Sequence, residues 1–210
     1  LHLSIRRQRQ MCIRDRAIPI LKSQNAIIIN LAKQLIDVGY QPAIISRGYG
    51  GIASGQKKSV TPVFFDSDPG YCGEEPVLIA QSLKNVPVII AASRASAYLH
   101  VANKLHCNVV LSDDGLQHYQ LPRSIEIAVV DSKQGLGNGL LIPSGPLRER
   151  ISRLKQVDHI IVTGSGHFDI PEQLKQFSTK SSNVITCIDA MREIEPSGHT
   201  LSSVSYTHLR

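Results

Sequence analysis

Asn108-Val109-Val110-Leu111-Ser112-Asp113-Asp114-Gly115-Leu116-Gln117-His118-Tyr119 is an apolar run that ends in two adjacent carboxylates, a glycine and a polar cluster. A continuous apolar run of strand length suits a sheet covered on both faces, whereas strict alternation suits a half-exposed strand. Val109, Val110 and Leu111 therefore read as a buried strand that delivers acids to a sheet edge. In open α/β sheets the carboxyl ends of the strands are where ligands bind. Two consecutive acids at such an end repel each other, and a hard cation such as Mg²⁺ relieves that repulsion. Gly115 is expected to turn the chain sharply away, leaving Gln117 and His118 facing the same crevice. Asp-Asp-Gly is also the composition of an ordinary solvated turn, so the rest of the chain has to decide between the two.

The flanking sequence alternates strand and helix. Ile28, Leu31, Ala32, Leu35 and Ile36 recur at helical spacing between Asn25 and Val38, with Asn25 as a candidate N-cap and Gly39 beyond the last turn. A short apolar strand, Pro42 to Ser46, runs into the glycine-rich turn Arg47-Gly48-Tyr49-Gly50-Gly51. After a Gly, Ser, Pro and Asp-rich stretch around Val60 to Phe65, a helix is expected from Gly73 to Leu83. Glu74 and Glu75 fall in its first turn, where the helix dipole favours acids. Strand Val86 to Ala91, helix Ser93 to Leu105 and the Asn108 strand follow. Beyond them come strand Ile125 to Asp131, a glycine-rich loop Gly135 to Gly139, a helix from about Leu147 to Lys155, strand His159 to Thr163, helix Pro171 to Phe177 and strand Val184 to Ile188. This alternation implies crossover connections and a mainly parallel sheet flanked by helices.

Composition narrows the function classes. The chain has 210 residues, enough to bury a substantial core, and no apolar stretch of membrane-spanning length. The N-terminus lacks the layout of a secretory signal, which predicts a cytoplasmic protein. Its four cysteines, Cys12, Cys72, Cys107 and Cys187, form no C-x-x-C pair and read as reduced thiols. The net charge of +6 resembles a nucleic-acid signal, but residues 1–16 hold five arginines and one acid, which is +4 of it. No nucleic-acid partner is expected. Residues 1–16 and 204–210 share no periodicity with their neighbours and read as non-native extensions, outside the fold. Residues 17–142 are expected to form the core and 143–203 part of a second, smaller α/β lobe.

Four polar stretches thus fall at strand ends or helix starts: Arg47 to Gly51, Gly73-Glu74-Glu75-Pro76, the Asp-Asp-Gly-Leu-Gln-His run, and Ser144-Gly145-Pro146-Leu147-Arg148-Glu149. In a parallel sheet those positions share one edge. Phosphoryl transfer needs a Mg²⁺-binding acid at a strand end, cations to offset phosphate charge, and an acid that accepts a hydroxyl proton. Asp113 and Asp114 offer the first, Arg47 and Arg148 the second, and Glu74 or one of the paired acids the third. Each also has a plain structural reading: Arg47 as a surface arginine, Glu74 and Glu75 as helix-stabilising acids, His118 as a satisfied structural histidine. His100 and His106 read as structural or surface residues.

Ser46-Arg47-Gly48-Tyr49-Gly50-Gly51, Gly73-Glu74-Glu75-Pro76, Ser112 to His118, Gly135-Leu136-Gly137-Asn138-Gly139 and Pro143 to Glu149, in this order, resemble the signature of the tetraacyldisaccharide 4′-kinases over residues 25 to about 165. The resemblance implies an incomplete copy of a P-loop NTPase-like kinase of lipid A biosynthesis. Such an enzyme uses ATP and Mg²⁺ to phosphorylate the 4′-hydroxyl of tetraacyldisaccharide 1-phosphate at the cytoplasmic face of the inner membrane. It further implies Asp113 and Asp114 as metal ligands, Glu74 as the catalytic acid, and Arg47, Gln117, His118 and Arg148 as substrate or phosphate contacts. Two departures stand out. The family has Asp where this chain has Glu74, and a Gly-Gly-Thr-Gly-Lys-Thr phosphate loop where it has Ile20-Leu21-Lys22-Ser23-Gln24-Asn25. Without those glycines the backbone amides form no phosphate cradle, and with Gln24 in place of the lysine a charge partner is lost. Weak Mg-ATP binding and slow turnover are the expected consequence; a non-catalytic binding protein is the alternative.

Overall fold

A computed structural model describes residues 23–56, 59–121, 123–132, 134–163, 172–178, 184–187 and 204–208. The expected 1–16 extension and the first three residues of the phosphate-loop segment, 20–22, lie outside them.

The chain alternates helix and strand as its periodicity predicts. Helix α1 (Ser23–Asp37) precedes β1 (Pro42–Ser46), a 3-10 turn (Ile52–Gly55) and β2 (Val60–Val63). Then come the short α2 (Pro69–Cys72), α3 (Glu74–Ser82), β3 (Val88–Ala91), α4 (Arg94–Lys104) and β4 (Val109–Ser112). The remainder comprises β5 (Ile125–Asp131), a second 3-10 turn (Ile151–Lys155), β6 (His159–Thr163), α5 (Glu172–Ser178), β7 (Val184–Cys187) and β8 (Val204–His208). They form one eight-stranded sheet ordered β2-β3-β1-β4-β8-β5-β6-β7. Every pairing is parallel except β2 with β3. The carboxyl ends of β1, β3, β4, β5 and β6 therefore share one edge.

Burial follows the pleat. All residues of β1 and β3 are buried, as expected of strands covered on both faces. Ile44, Val88, Ile90, Val109 and Leu111 pack with Ile28, Leu31 and Leu35 of α1 and Val77 and Ile79 of α3. The alternate residues, Ala43, Ile45, Ile89 and Ala91, pack on Ala97 and Val101 of α4. Farther along that second face, Ala128, Val130, Ile160 and Val162 meet Leu116, Leu136, Leu147, Leu154 and Leu174.

Two expectations change. Asn25 is not an N-cap, because α1 already begins at Ser23, and Asn25 is 2% exposed. The helix expected from Leu147 to Lys155 shrinks to the 3-10 turn at Ile151–Lys155; Leu147 instead bridges Leu141, and its amide donates to Leu140 O. On the far side of residue 142, β6 and β7 join the sheet next to β5. Residues 204–208, in the segment read as a non-native tail, form β8 between β4 and β5. Its backbone pairs with both neighbours.

Candidate active site

The site grows from the junction of β1 and β4. These neighbours pair with Ile45 opposite Ser112, which puts Ser46 beside Asp113. Ser46 Oγ donates to Asp113 Oδ2 at 3.0 Å, and the Asp113 amide donates to Ile45 O. Asp113 is 6% exposed. Burial, then the charge of Glu75, raise its carboxyl from 3.8 to about 6, while Arg94 and the Ser46 hydroxyl oppose the shift.

The two adjacent acids have different hydrogen-bond partners. Asp114 has φ 48°, a left-handed conformation that aspartate tolerates better than most residues. The chain therefore turns at Asp114, whereas Gly115, expected to make that turn, has no positive φ. Asp113 stays in the crevice, and the half-exposed Asp114 accepts from Arg148 Nη1 at 2.9 Å and 3.1 Å.

The glycine motifs bring the other acids in. A Cβ on Gly51 would collide with Tyr71 O and stand 2.5 Å from Gly73 N, and one on Gly73 would stand 2.9 Å from Tyr49 O. Only with bare backbone at these positions can the Arg47 to Gly51 loop lie against the start of α3. Gly73, at φ 91°, is the N-cap of α3 and launches Glu74 and Glu75 as its first two residues. Glu74 is exposed, and Glu75 is the glutamate whose charge acts on Asp113.

Arg47 is exposed at the end of β1. Gln117 is half-buried, and its Nε2 has no hydrogen-bond partner among the described residues. Burial, then Arg94, lower the pKa of half-buried His118, so its ring is neutral at neutral pH. Arg47 lies just beyond β1, and Asp113, Asp114, Gln117 and His118 just beyond β4; Glu74 lies at the start of α3, and Arg148 in the loop after β5, where it meets Asp114.

Arg94, Ser46 and Glu75 carry weight that the sequence reading did not assign. Arg94 opens α4 three residues after β3 ends, is 3% exposed, and donates from Nη2 to Asp113 O at 2.7 Å. Its Nε and Nη1 are buried without hydrogen-bond partners among the described residues. Burial lowers its pKa, and Asp113 and Asp114 offset that shift. One signal was available: Arg94 is the first residue of a helix, where the dipole disfavours a cation, so another anion must compensate.

No group of three or more His, Cys, Asp or Glu side chains that could hold a metal occurs among the described residues. Asp113 with Glu75 nevertheless makes an oxygen set of the kind Mg²⁺ uses when water and phosphate complete its shell. The raised Asp113 carboxyl is the state that a divalent cation would relieve. No helix among the described residues is long and apolar enough to cross a membrane.

Comparison with known proteins bears on the family and the fold. The chain is 49% identical over 139 residues to the tetraacyldisaccharide 4′-kinase of Pasteurella multocida, covering 66% of this chain and 42% of that protein. It is 44% identical over 152 residues to the same-named protein of Nitrosococcus oceani, covering 71% and 44%. It therefore spans less than half the length of these curated relatives. The crystal structure of LpxK from Aquifex aeolicus in complex with ATP superposes with a TM-score of 0.62 at 25% identity, covering 80% of this chain and 50% of that one. The fold is accordingly that of a P-loop NTPase-like kinase core. The profile described as LpxK, tetraacyldisaccharide-1-P 4′-kinase, matches residues 25–203, and the chain belongs to that family.

Proposed function

We propose that this chain is the acid-bearing part of an ATP-dependent kinase of lipid A biosynthesis, moving the γ-phosphoryl group to the 4′-hydroxyl of tetraacyldisaccharide 1-phosphate. The observation that supports it most is the meeting of Asp113, Glu75, Arg94 and the Asp114–Arg148 pair at one sheet edge, in a chain of this family.

Phosphoryl transfer leaves the protein mainly the tasks of positioning and charge compensation. Glu74, exposed at the first position of α3, is the acceptor of the hydroxyl proton. Arg47 and Arg148 offset charge on phosphate oxygens. Gln117 Nε2, a buried donor without a partner, and the neutral ring of His118 contact the substrate. Asp113, Glu75 and, once Arg148 turns to phosphate, Asp114 would hold Mg²⁺, which supplies charge neutralisation at phosphate oxygens when bound. Residues 20–25 bring no glycine cradle for ATP, so transfer by this chain is slow. Residues 17–142 serve as the kinase core and 143–203 begin a second lobe, with 1–16 and 204–210 as non-native extensions, of which 204–208 nevertheless pair as β8 between β4 and β5. The intact protein works on a lipid A precursor at the cytoplasmic surface of the inner membrane, as a peripheral enzyme.

Incubation with Mg²⁺, γ-labelled ATP and tetraacyldisaccharide 1-phosphate tests the proposal. Slow labelling at the 4′ position is expected. Label at another hydroxyl, or equal transfer to an unacylated disaccharide, would overturn it.

A further inference from the structure

A compact charge cluster lies behind the Asp114–Arg148 pair. Glu126, on β5, accepts from Arg123 Nε at 2.5 Å and from Arg153 Nη2 at 2.6 Å and 2.8 Å. Arg153 Nε also stands 3.4 Å from Glu149 Oε2. All four side chains are only 11% to 14% exposed. The Glu126 backbone is itself fixed: its amide donates to Asp158 Oδ2 at 2.7 Å, and the Asp158 amide donates back to Glu126 O.

The two arginines reach in different directions. Arg123 Nη1 donates to Gly115 O at 2.7 Å and Leu116 O at 3.0 Å, the carbonyls immediately after Asp114. Arg153 lies in the 3-10 turn that begins three residues after Arg148. Both guanidinium groups also lie over the Tyr119 ring, at 5.4 Å and 6.0 Å from its centroid. One carboxylate thus ties down the segment that follows Asp114 and the segment that follows Arg148.

We infer that Glu126 is a positioning residue: through Arg123 and Arg153 it sets the separation at which Asp114 meets Arg148 across the candidate site. A neutral cluster of two arginines and two glutamates becomes a buried excess of positive charge if Glu126 loses its own, and repulsion then drives the two arms apart. The importance of the Asp114–Arg148 pair rests on the kinase reading. The arrangement itself does not, and it can be tested without any phosphate transfer.

The test uses the full chain with Glu126→Gln, read by side-chain NMR of the Arg148 guanidinium and by amide hydrogen exchange. In the parent chain the Asp114 contact is expected to slow rotation of the Arg148 guanidinium and separate its Nη signals. In Glu126→Gln those signals should merge. Exchange should quicken about tenfold or more in residues 115–121 and in 149–155 together, with β1 and β3 unaffected. A uniform rise in exchange, or a folded variant that keeps the Arg148 signature, would overturn the proposal. If Glu126→Gln does not fold, Arg123→Met and Arg153→Met decide it. Each should loosen its own segment and weaken the Arg148 signature, and an unchanged signature in both would overturn the proposal.

Discussion

Ser46 and Asp113 are 67 residues apart in sequence, yet the Ser46 hydroxyl donates to the Asp113 carboxylate at 3.0 Å inside the protein. Parallel pairing of β1 with β4 creates the contact, and the contact favours the charged form of the acid. Ser46→Ala should therefore raise the Asp113 pKa above about 6 and cost about 1 kcal/mol of stability. Carbon-13 NMR titration of the aspartate carboxyls measures the first effect and chemical denaturation the second. An unchanged or lowered pKa would show that the hydroxyl does not support the carboxylate.

The raised pKa of Asp113 has a defined sign in stability. Its folded form holds a proton up to about pH 6, and the unfolded form releases it near 3.8. Its contribution to folding is thus fully present below 3.8 and is lost as pH rises through about 6. Asp113→Asn removes that penalty. The variant should gain on the order of 1–3 kcal/mol over the parent at pH 7.5, with the gain fading toward pH 4. Denaturation curves across this range check it, and a pH-independent difference would contradict it.

A further pair of predictions concerns Mg²⁺. Added Mg²⁺ should raise the melting temperature of the parent more at pH 7.5 than at pH 5, because protonation of Asp113 competes with the metal. Asp113→Asn should abolish the shift. Equal shifts in both proteins would place the cation elsewhere.

Much of this architecture is legible in the sequence because buried parallel strands write themselves as unbroken apolar runs. Pro42 to Ser46, Ile125 to Asp131 and His159 to Thr163 coincide with their strands residue for residue. Gly51 and Gly73 could be recognised as turn formers, but not as the contact that seats one motif on the other, which is a property of distant backbones. Asp113 and Asp114 could be placed at a strand end, whereas their different hydrogen-bond partners, Ser46 and Arg148, lie on distant segments. Arg94 escaped notice because its one local signal, a cation opening a helix, does not reveal that the side chain is buried. The segment 147–150 looked helical, yet it is held by Leu140 and Leu141 across a loop.

The backbone approach at Gly51 allows no side chain. Gly51→Ala must push its Cβ away from Tyr71 O and Gly73 N, neither of which is a flexible side-chain end. A loss of about 2 kcal/mol or more is expected, on the scale of overpacking at a rigid site. Because Gly73 carries Glu74 and Glu75, the same change should also weaken the Mg²⁺ response. Gly55→Ala, at a position open to solvent space, is the control and should be close to neutral. Comparable losses in the two variants would refute the close-approach argument.

The phosphate-binding deficit is predicted to reside in residues 20–25. The organising acids are present, but Ile20-Leu21-Lys22-Ser23-Gln24-Asn25 offers neither a run of glycine amides nor a lysine at the position of Gln24. Replacing these six residues by Gly-Gly-Thr-Gly-Lys-Thr supplies amides that can face phosphate and one cation at its oxygens. ATP affinity should rise at least about tenfold by calorimetry, corresponding to about 1.4 kcal/mol. Turnover should rise further when Glu74→Asp is added, since a misplaced base can cost on the order of a hundredfold. Tighter ATP binding with no gain in 4′-phosphorylation would separate nucleotide binding from chemistry and place the fault in the acids at the end of β4 and the start of α3. An unchanged affinity would show that the loop is not what limits ATP binding in this chain.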